Sequence, residues 1–304
     1  MKVLIITEKL ATEAAKCSTY IAKEAVSRGH EVYECYSDKI GLLNGEVICE
    51  ASRYMSENMP NDEVKKLIIR QHFDVVFFRP NPPIDMAYLT TLYLLQIIEN
   101  DVLILNKPSS VIRYPEKILP HYFPEFSAPT LISKNRTEIL EFMKIHNVVV
   151  TKPLYSYAGK GVEKLEAKDT ARLDAIIADS KEPRVYQKFL HEVYEGDFRL
   201  IFVNGKFIAA VKRIPKNGGF IANLDSGMDE VAYEITDHHR NHIVPKLEKF
   251  LVENDIALCG IDVIGNYVSE INITSPVTFL YLHYIYERNE ETKLWDAIED
   301  RLSK

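Results

Sequence analysis

The segment Gly260-Ile261-Asp262-Val263-Ile264-Gly265-Asn266-Tyr267-Val268-Ser269-Glu270-Ile271-Asn272-Ile273 sets three oxygen-bearing side chains, Asp262, Glu270 and Asn272, inside runs of isoleucine and valine. A carboxylate in so apolar a strand is costly unless a cation or a hydrogen-bond donor neutralises it. The segment reads as a β-hairpin, in which Glu270 and Asn272, two residues apart, face the same way. A two-residue loop at Gly265-Asn266 pairs Asp262 with Ser269 and turns Asp262 away from them. An odd-length loop such as Gly265 to Tyr267, or a bulge, between Ile264 and Val268 sets Asp262 opposite Glu270 instead. Only that arrangement gathers all three oxygens, as a Mg²⁺ site with substrate phosphates against it requires. The plainer alternative is a hairpin whose acidic residues lie on its wet face.

At 304 residues the chain has room for two or three subdomains. Its hydrophobic content of 46% and charged content of 27% are those of a globular protein. The net charge of -7 argues against a nucleic-acid surface as the main partner. Cys17, Cys35, Cys49 and Cys259 have no C-x-x-C spacing, which points to reduced thiols rather than a zinc site or a disulfide framework. Met1 to Thr7 starts a strand at once, with no signal-peptide or membrane-spanning pattern, so a cytoplasmic protein without membrane partners is expected.

The first third alternates strands and helices. Lys2 to Thr7, Glu31 to Cys35, Asp74 to Phe78 and Val102 to Leu105 read as strands, with helices from Thr12 to Arg28 and from about Met86 to Ile98. This βαβ rhythm implies a parallel sheet covered by helices. The pattern changes near Pro115. A small α+β unit follows, with strands near Pro129 to Ile132 and at Val148 to Lys152 and a helix from Thr137 to His146. The last third opens on a hairpin, Asp197 to Val203 and Lys206 to Ile214, joined by the turn-forming pair Asn204-Gly205. A loop from Pro215 to Met228 and a helix from about Asp237 to Glu253 precede the acidic hairpin.

Several segments carry possible chemistry. Lys152 ends a strand and precedes Tyr155-Ser156-Tyr157-Ala158-Gly159-Lys160-Gly161, whose small residues let backbone N–H groups approach a phosphate; the order is not that of a Walker loop, and taken by itself the segment is better accounted for by a surface turn. Arg184 to Leu190, leading into an acidic stretch, can present its backbone to an adenine edge or simply connect two domains. Arg199 and Arg213 lie on the two arms of the Asn204-Gly205 hairpin; if they share a face they form a pair suited to a transferring phosphoryl group, and otherwise one is a solvated strand arginine. His238 and His242 have the i, i+4 spacing of a metal pair, but Thr236 beside Asp237 gives a simple helix-capping account.

In order, Lys117, Lys152 with its glycine loop, Tyr186 to Leu190, Asp197 and Arg199, Arg213, Asp262 and Glu270-Ile271-Asn272 resemble the ATP-grasp signature. Arg79-Pro80-Asn81-Pro82-Pro83, Asn106-Lys107-Pro108, Arg213-Ile214-Pro215 and Glu270-Ile271-Asn272-Ile273-Thr274-Ser275-Pro276 are similar, more closely, to the prokaryotic glutathione synthetase family. The resemblance implies an α/β protein, with an N-terminal parallel α/β domain (1–115) followed by a two-subdomain α+β ATP-grasp fold (116–190 and 191–304). It implies an ATP-dependent ligase acting on small-molecule substrates, γ-glutamylcysteine and glycine, through an acyl phosphate, and a homo-oligomer. It places the nucleotide at Lys117, Lys152, Tyr157, Gly159, Gly161, Gln187, Phe189, Leu190 and Asp197. Substrate falls at Arg79, Asn223 and Ser275, the catalytic arginines are Arg199 and Arg213, and Mg²⁺ (or Mn²⁺) lies at Asp262, Glu270 and Asn272. Where the family has Arg-x-Asp-Pro-Pro this chain has Asn81, its phosphate loop reads Tyr155 to Gly159 rather than Asp-Gly-x-Gly-Gly, and Ile221 and Val277-Thr278-Phe279 replace an arginine and a small pair. These departures fall mainly in loops that cover or receive the acceptor, leaving open a ligase of other substrates or a nucleotide-binding relative without turnover.

Overall fold

The computed structural model describes residues 1–8, 13–54, 63–216, 219–220 and 228–303, which build three sheets. The first contains β1 (Lys2–Thr7), β2 (Glu31–Leu43), β3 (Glu46–Arg53), β4 (Lys65–Ile68), β5 (Val75–Phe78) and β6 (Leu103–Leu105), in the order β4-β3-β2-β1-β5-β6. β1 runs parallel to β2 and β5, and β5 parallel to β6, through the helices α1 (Glu13–Ser27), α2 (Ile69–His72) and α3 (Met86–Gln96). The expected parallel sheet therefore exists, but β2 continues eight residues past Cys35. It then turns at Asn44-Gly45, both at positive φ, and β3 and β4 add an antiparallel edge. Such a turn needs two left-handed residues, which Asn-Gly supplies.

Side-chain alternation along β1 splits its apolar residues between two layers. Leu4 and Ile6 pack with Val76, Phe78 and the Leu92–Leu95 face of α3. Val3 and Ile5 pack with Phe77, with Ile21 of α1, and with Trp295 of the C-terminal helix α9 (Glu291–Leu302), whose indole N–H donates to Ile21 O at 3.1 Å. In sequence order, α4 (Pro108–Arg113) and two 3₁₀ turns follow the first sheet.

The second sheet, β7-β10-β8-β9, is antiparallel and contains β7 (Thr130–Ser133), β8 (Val148–Pro153), β9 (Glu163–Glu166) and β10 (Arg184–Lys188). α5 (Arg136–His146) and α6 (Thr170–Asp179), the latter unforeseen, bury Ile139, Met143, Leu173 and Ile176 against Val149 and Tyr186. Strand parity sends Val150, Lys152 and Gln187 to the other face.

The third sheet, β13-β12-β11-β14-β15, is antiparallel throughout: β11 (Asp197–Val203), β12 (Lys206–Pro215), β13 (Met228–Tyr233), β14 (Leu258–Ile264) and β15 (Tyr267–Asn272). One face, with Phe198, Leu200, Phe202, Ile261 and Ile271, is buried under α7 (Val244–Glu253). The helix foreseen from Asp237 to Glu253 is present and contains a π-helical turn, His239–Ile243, near its start. His239 is buried there between Thr236 Oγ1 (2.7 Å) and Gly265 O (3.0 Å). At one end the opposite face carries Ile201 and Val211, covered by Phe279 and Leu282 of α8 (Thr278–Tyr286), and this layer is continuous with the β1 layer above. At the other end that face is charged. Among the described residues no helix is long and apolar enough to cross a membrane.

Candidate active site

Both hairpins of the third sheet close on two-residue turns, and one extra residue in each decides which side chains face the site. From Asn204-Gly205 the ladder runs Val203↔Lys206 and Phe202↔Phe207, then Ile201↔Ala209, so Ile208 is bulged out. A regular ladder would set Lys212 opposite Asp197; the bulge sets Arg213 there, on the same face as Arg199. In the acidic hairpin Gly265, at φ +57°, and Asn266 form the whole turn, so the odd loop does not occur. The extra residue is Ser269, just outside the interval Ile264 to Val268 in which it was expected, and it brings Asp262 opposite Glu270 and Gly260 opposite Asn272. The Ser269 hydroxyl donates to Asp262 O at 3.2 Å.

Asp262 is the hub of the charged face. Arg199 donates to it from Nε at 2.7 Å and from Nη2 at 2.8 Å, and Arg213 Nη2 stands 3.1 Å from its Oδ1. Arg213 also grips Asp197, from Nε at 2.9 Å and Nη2 at 2.5 Å. Burial disfavours the ionised form of Asp262, but Arg199 and Arg213 outweigh it and hold the carboxyl well below the usual range. For Asp197 burial wins over Arg213, and its pKa is raised. Asn272 Nδ2 donates to Gly260 O (3.0 Å) and faces Asp262 Oδ2 (3.4 Å), which leaves Oδ1 as its available oxygen.

This face, the free face of the second sheet and the end of the first enclose a cavity of about 520 Å³. Lys117 enters it, with Nζ 3.0 Å from Glu270 Oε1 and a further bond to Ser156 O. Lys152, whose pKa burial lowers against the pull of Glu270, donates to Gln187 Oε1 at 3.2 Å. Tyr157, Gly159, Phe189, Leu190 and Asp197 also line it, and Lys164 caps the Phe189 ring at 4.4 Å. Gly161 stands outside the wall. Its φ is +72°, a Cβ there would meet the Pro153 ring at 2.9 Å, and its carbonyl accepts from Arg184, so it shapes the loop rather than facing the cavity.

Ser275 lines the cavity and ties Pro80 O at 2.7 Å. Arg79 lies one layer behind, buried, with Nη2 on Pro276 O at 2.8 Å and Nε without a partner among the described residues. Asn81, the departure from the family pattern, lines the cavity with its backbone N–H on Glu8 Oε2 at 3.0 Å. Asn223 and Ile221 lie outside the described residues. Glu116 and Tyr281 are wall residues that sequence reasoning missed and that bear on the charges of the site. Glu116 accepts through Oε1 from Ile273 N (2.9 Å), Thr274 N (3.0 Å) and Thr274 Oγ1 (2.8 Å), and burial, then Glu270, raises its pKa. Tyr281 arrives from α8 beside both arginines. The Pro115-Glu116-Lys117 neighbourhood was a usable signal for the first; an apolar helix hid the second.

The donor set on β14 and β15 is two carboxylates and an amide oxygen, hard ligands that fit a small divalent cation. Among the described residues no cluster of three histidine, cysteine, aspartate or glutamate side chains offers another site.

The chain matches the model of the prokaryotic glutathione synthetase N-terminal domain over residues 1–112 and that of the prokaryotic glutathione synthetase ATP-grasp domain over residues 116–286. It belongs to the prokaryotic glutathione synthetase family. The glutathione synthetase of Anaplasma centrale is 34% identical over 287 residues, covering 93% of this chain and 92% of that protein. That of Rhodopseudomonas palustris is 34% identical over 284 residues, covering 91% and 90%. The fold is ATP-grasp. A D-cycloserine synthetase superposes with a TM-score of 0.70 at 13% identity, covering 99% of this chain and 100% of its own. D-alanyl-alanine synthetase A of Vibrio cholerae does so with 0.66 at 13% identity, covering 100% and 99%. The prokaryotic glutathione synthetase family places this chain among ATP-dependent carboxylate–amine ligases that use ATP and a divalent metal.

Proposed function

We propose that the chain is a glutathione synthetase, which uses ATP to phosphorylate the cysteinyl carboxylate of γ-glutamylcysteine and lets the amine of glycine displace the phosphate. One observation carries the reading: the bulged hairpins bring Arg199, Arg213, Asp262, Glu270 and Asn272 to a single face, and Lys117 and Lys152 reach the same cavity. Lys117 and Lys152 hold nucleotide phosphates, beneath a loop of Tyr157, Gly159 and Gly161. Gln187, Phe189 and Leu190 receive the base, and Asp197 steadies Arg213. An arginine has five N–H donors, and Arg199 spends two of them on Asp262, so the rest of its fork can meet phosphoryl and acyl oxygens. Arg79, Ser275 and Asn223 serve substrate.

Asp262, Glu270 and Asn272 hold the metal, which we assign as Mg²⁺ with Mn²⁺ as substitute; when bound it neutralises phosphate charge during transfer. The remaining work is positioning and exclusion of water rather than attack by a side chain. We further propose units of 1–115, 116–190 and 191–304, a cytoplasmic location, small-molecule partners only, and a homo-oligomer. The test is ADP release with γ-glutamylcysteine and glycine, each omitted in turn. Dependence on both is expected. ADP formation indifferent to either would refute the reading, and a requirement for another carboxylate–amine pair would keep the chemistry but change the substrates.

A further inference from the structure

The pairing of β11, β12 and β13 sets Asp197, Arg213 and Glu230 directly across from one another in a single row, so all three project from the cavity face of the sheet. Arg213 turns to Asp197 and Asp262, and among the described residues no ion pair reaches Glu230. The nearby lysines are engaged elsewhere: Lys212 projects to the opposite face, over the Tyr233 ring at 5.8 Å, and Lys216 pairs with Asp229 at 2.8 Å. Glu230 Oε1 is nonetheless buried and has no hydrogen-bond partner among the described residues. The Tyr281 hydroxyl faces this carboxylate and stands near Arg199 and Arg213, and Tyr281 itself forms part of the cavity wall, 5% exposed. A buried carboxylate oxygen left over at the edge of an otherwise balanced charge network calls for a cation.

We infer that Glu230 and Tyr281 form an ammonium subsite, which holds the primary amine of a substrate beside the arginine pair. The inference rests on the reading of the protein as a carboxylate–amine ligase, and the amine it assigns to the subsite is that of the acceptor. The α-ammonium of the dipeptide has the same chemistry and is the alternative source. Glu230 is then the specificity residue, with the Tyr281 hydroxyl as the second contact that orients the amine.

The test is steady-state ADP release by wild type, E230Q and Y281F, with KM determined separately for ATP, γ-glutamylcysteine and glycine. E230Q is expected to raise the KM for glycine at least tenfold and Y281F severalfold, with the KM for ATP within twofold of wild type. A rise confined to γ-glutamylcysteine assigns the subsite to the donor's ammonium. Unchanged KM for both amine-bearing substrates, or a parallel rise for ATP, overturns it. If E230Q does not fold, glycolate, which lacks the ammonium, is tested as a competitor of glycine on wild type, and binding as tight as glycine's overturns the inference. Wild-type turnover with this substrate pair tests the functional reading separately. If that turnover is absent, primary amines are screened in the same assay, and a best amine whose KM is equal in wild type and E230Q overturns the subsite.

Discussion

Asp262 and Glu270 sit opposite each other and are assigned one metal, yet replacing Asp262 should cost more stability than replacing Glu270. Asp262 is 6% exposed and is contacted by both arginines, at 2.7, 2.8 and 3.1 Å. Removing one partner of a buried ion pair costs about 3–5 kcal/mol, because the other charge stays buried and uncompensated. An asparagine in its place would keep one carbonyl acceptor, worth about 1 kcal/mol, while turning an N–H toward a guanidinium that only donates. Asp262→Asn should therefore lower unfolding free energy by about 2–4 kcal/mol. The Glu270 side chain is 24% exposed, and the buried Lys117, its ion-pair partner among the described residues, keeps a bond to Ser156 O, so Glu270→Ala should abolish metal-dependent turnover at a stability cost of about 1–2 kcal/mol, below that of Asp262→Asn.

Urea denaturation with a common m-value separates the two variants. The pH dependence gives a second check. The folded-state pKa of Asp262 is depressed below its ordinary 3.8, so its contribution is present above that value and is lost as pH falls through the lower, folded-state value. The gap between wild type and Asp262→Asn should be flat from roughly pH 8 to pH 5 and close only in stronger acid. A loss below about 1 kcal/mol for Asp262→Asn, or a gap that closes near neutrality, would refute the hub role of Asp262. Full activity in Glu270→Ala would remove the metal assignment.

Gly196 holds φ at +101°, and a Cβ there would lie 2.6 Å from Arg213 O, so Gly196→Ala should cost about 2–3 kcal/mol or more and displace Arg213, read as a lowered melting point together with a lowered kcat. Burial, then Glu270, raises the pKa of Glu116; the folded state therefore holds its proton more tightly, a contribution present below the ordinary 4.5 and lost as pH rises through the folded value. Glu116→Gln keeps the acceptor oxygen, so at neutral pH it should match or exceed wild-type thermal stability, with the gain shrinking as pH falls through the folded value toward 4.5; a large loss at neutral pH would contradict this. Since Lys117, Arg199 and Arg213 are each paired to a carboxylate, the site has little spare positive charge, and chelating divalent metal should weaken ATP binding at least tenfold by calorimetry.

The residues of the charged face were legible in the sequence, and so was the strand character of both hairpins. Their facing was not. Counting inward from Asn204-Gly205 as a regular ladder turns Arg213 away from Arg199, and counting inward from Gly265-Asn266 turns Asp262 away from Glu270. Each conflict is resolved by one extra residue, Ile208 or Ser269, whose identity carries no bulge signal: an isoleucine and a serine fit a regular strand as well. β13 stayed hidden for a related reason, since at an edge its exposed, acidic residues lack the apolar alternation of a covered strand. Glu230 was lost with it.

What selects the bulged registers is the tertiary context. In the regular register of the first hairpin, Lys212 would replace Arg213 on the cavity face and leave Asp197 and Asp262 without that guanidinium. In the second, Asp262 would still face Arg199 across β11, but Glu270 would leave Lys117 for the apolar layer that now holds Ile271. Burying an unpaired carboxylate costs more than one bulged residue. The charge network thus fixes the register of the strands that carry it, and the same pairs that set the chemistry also determine the local fold.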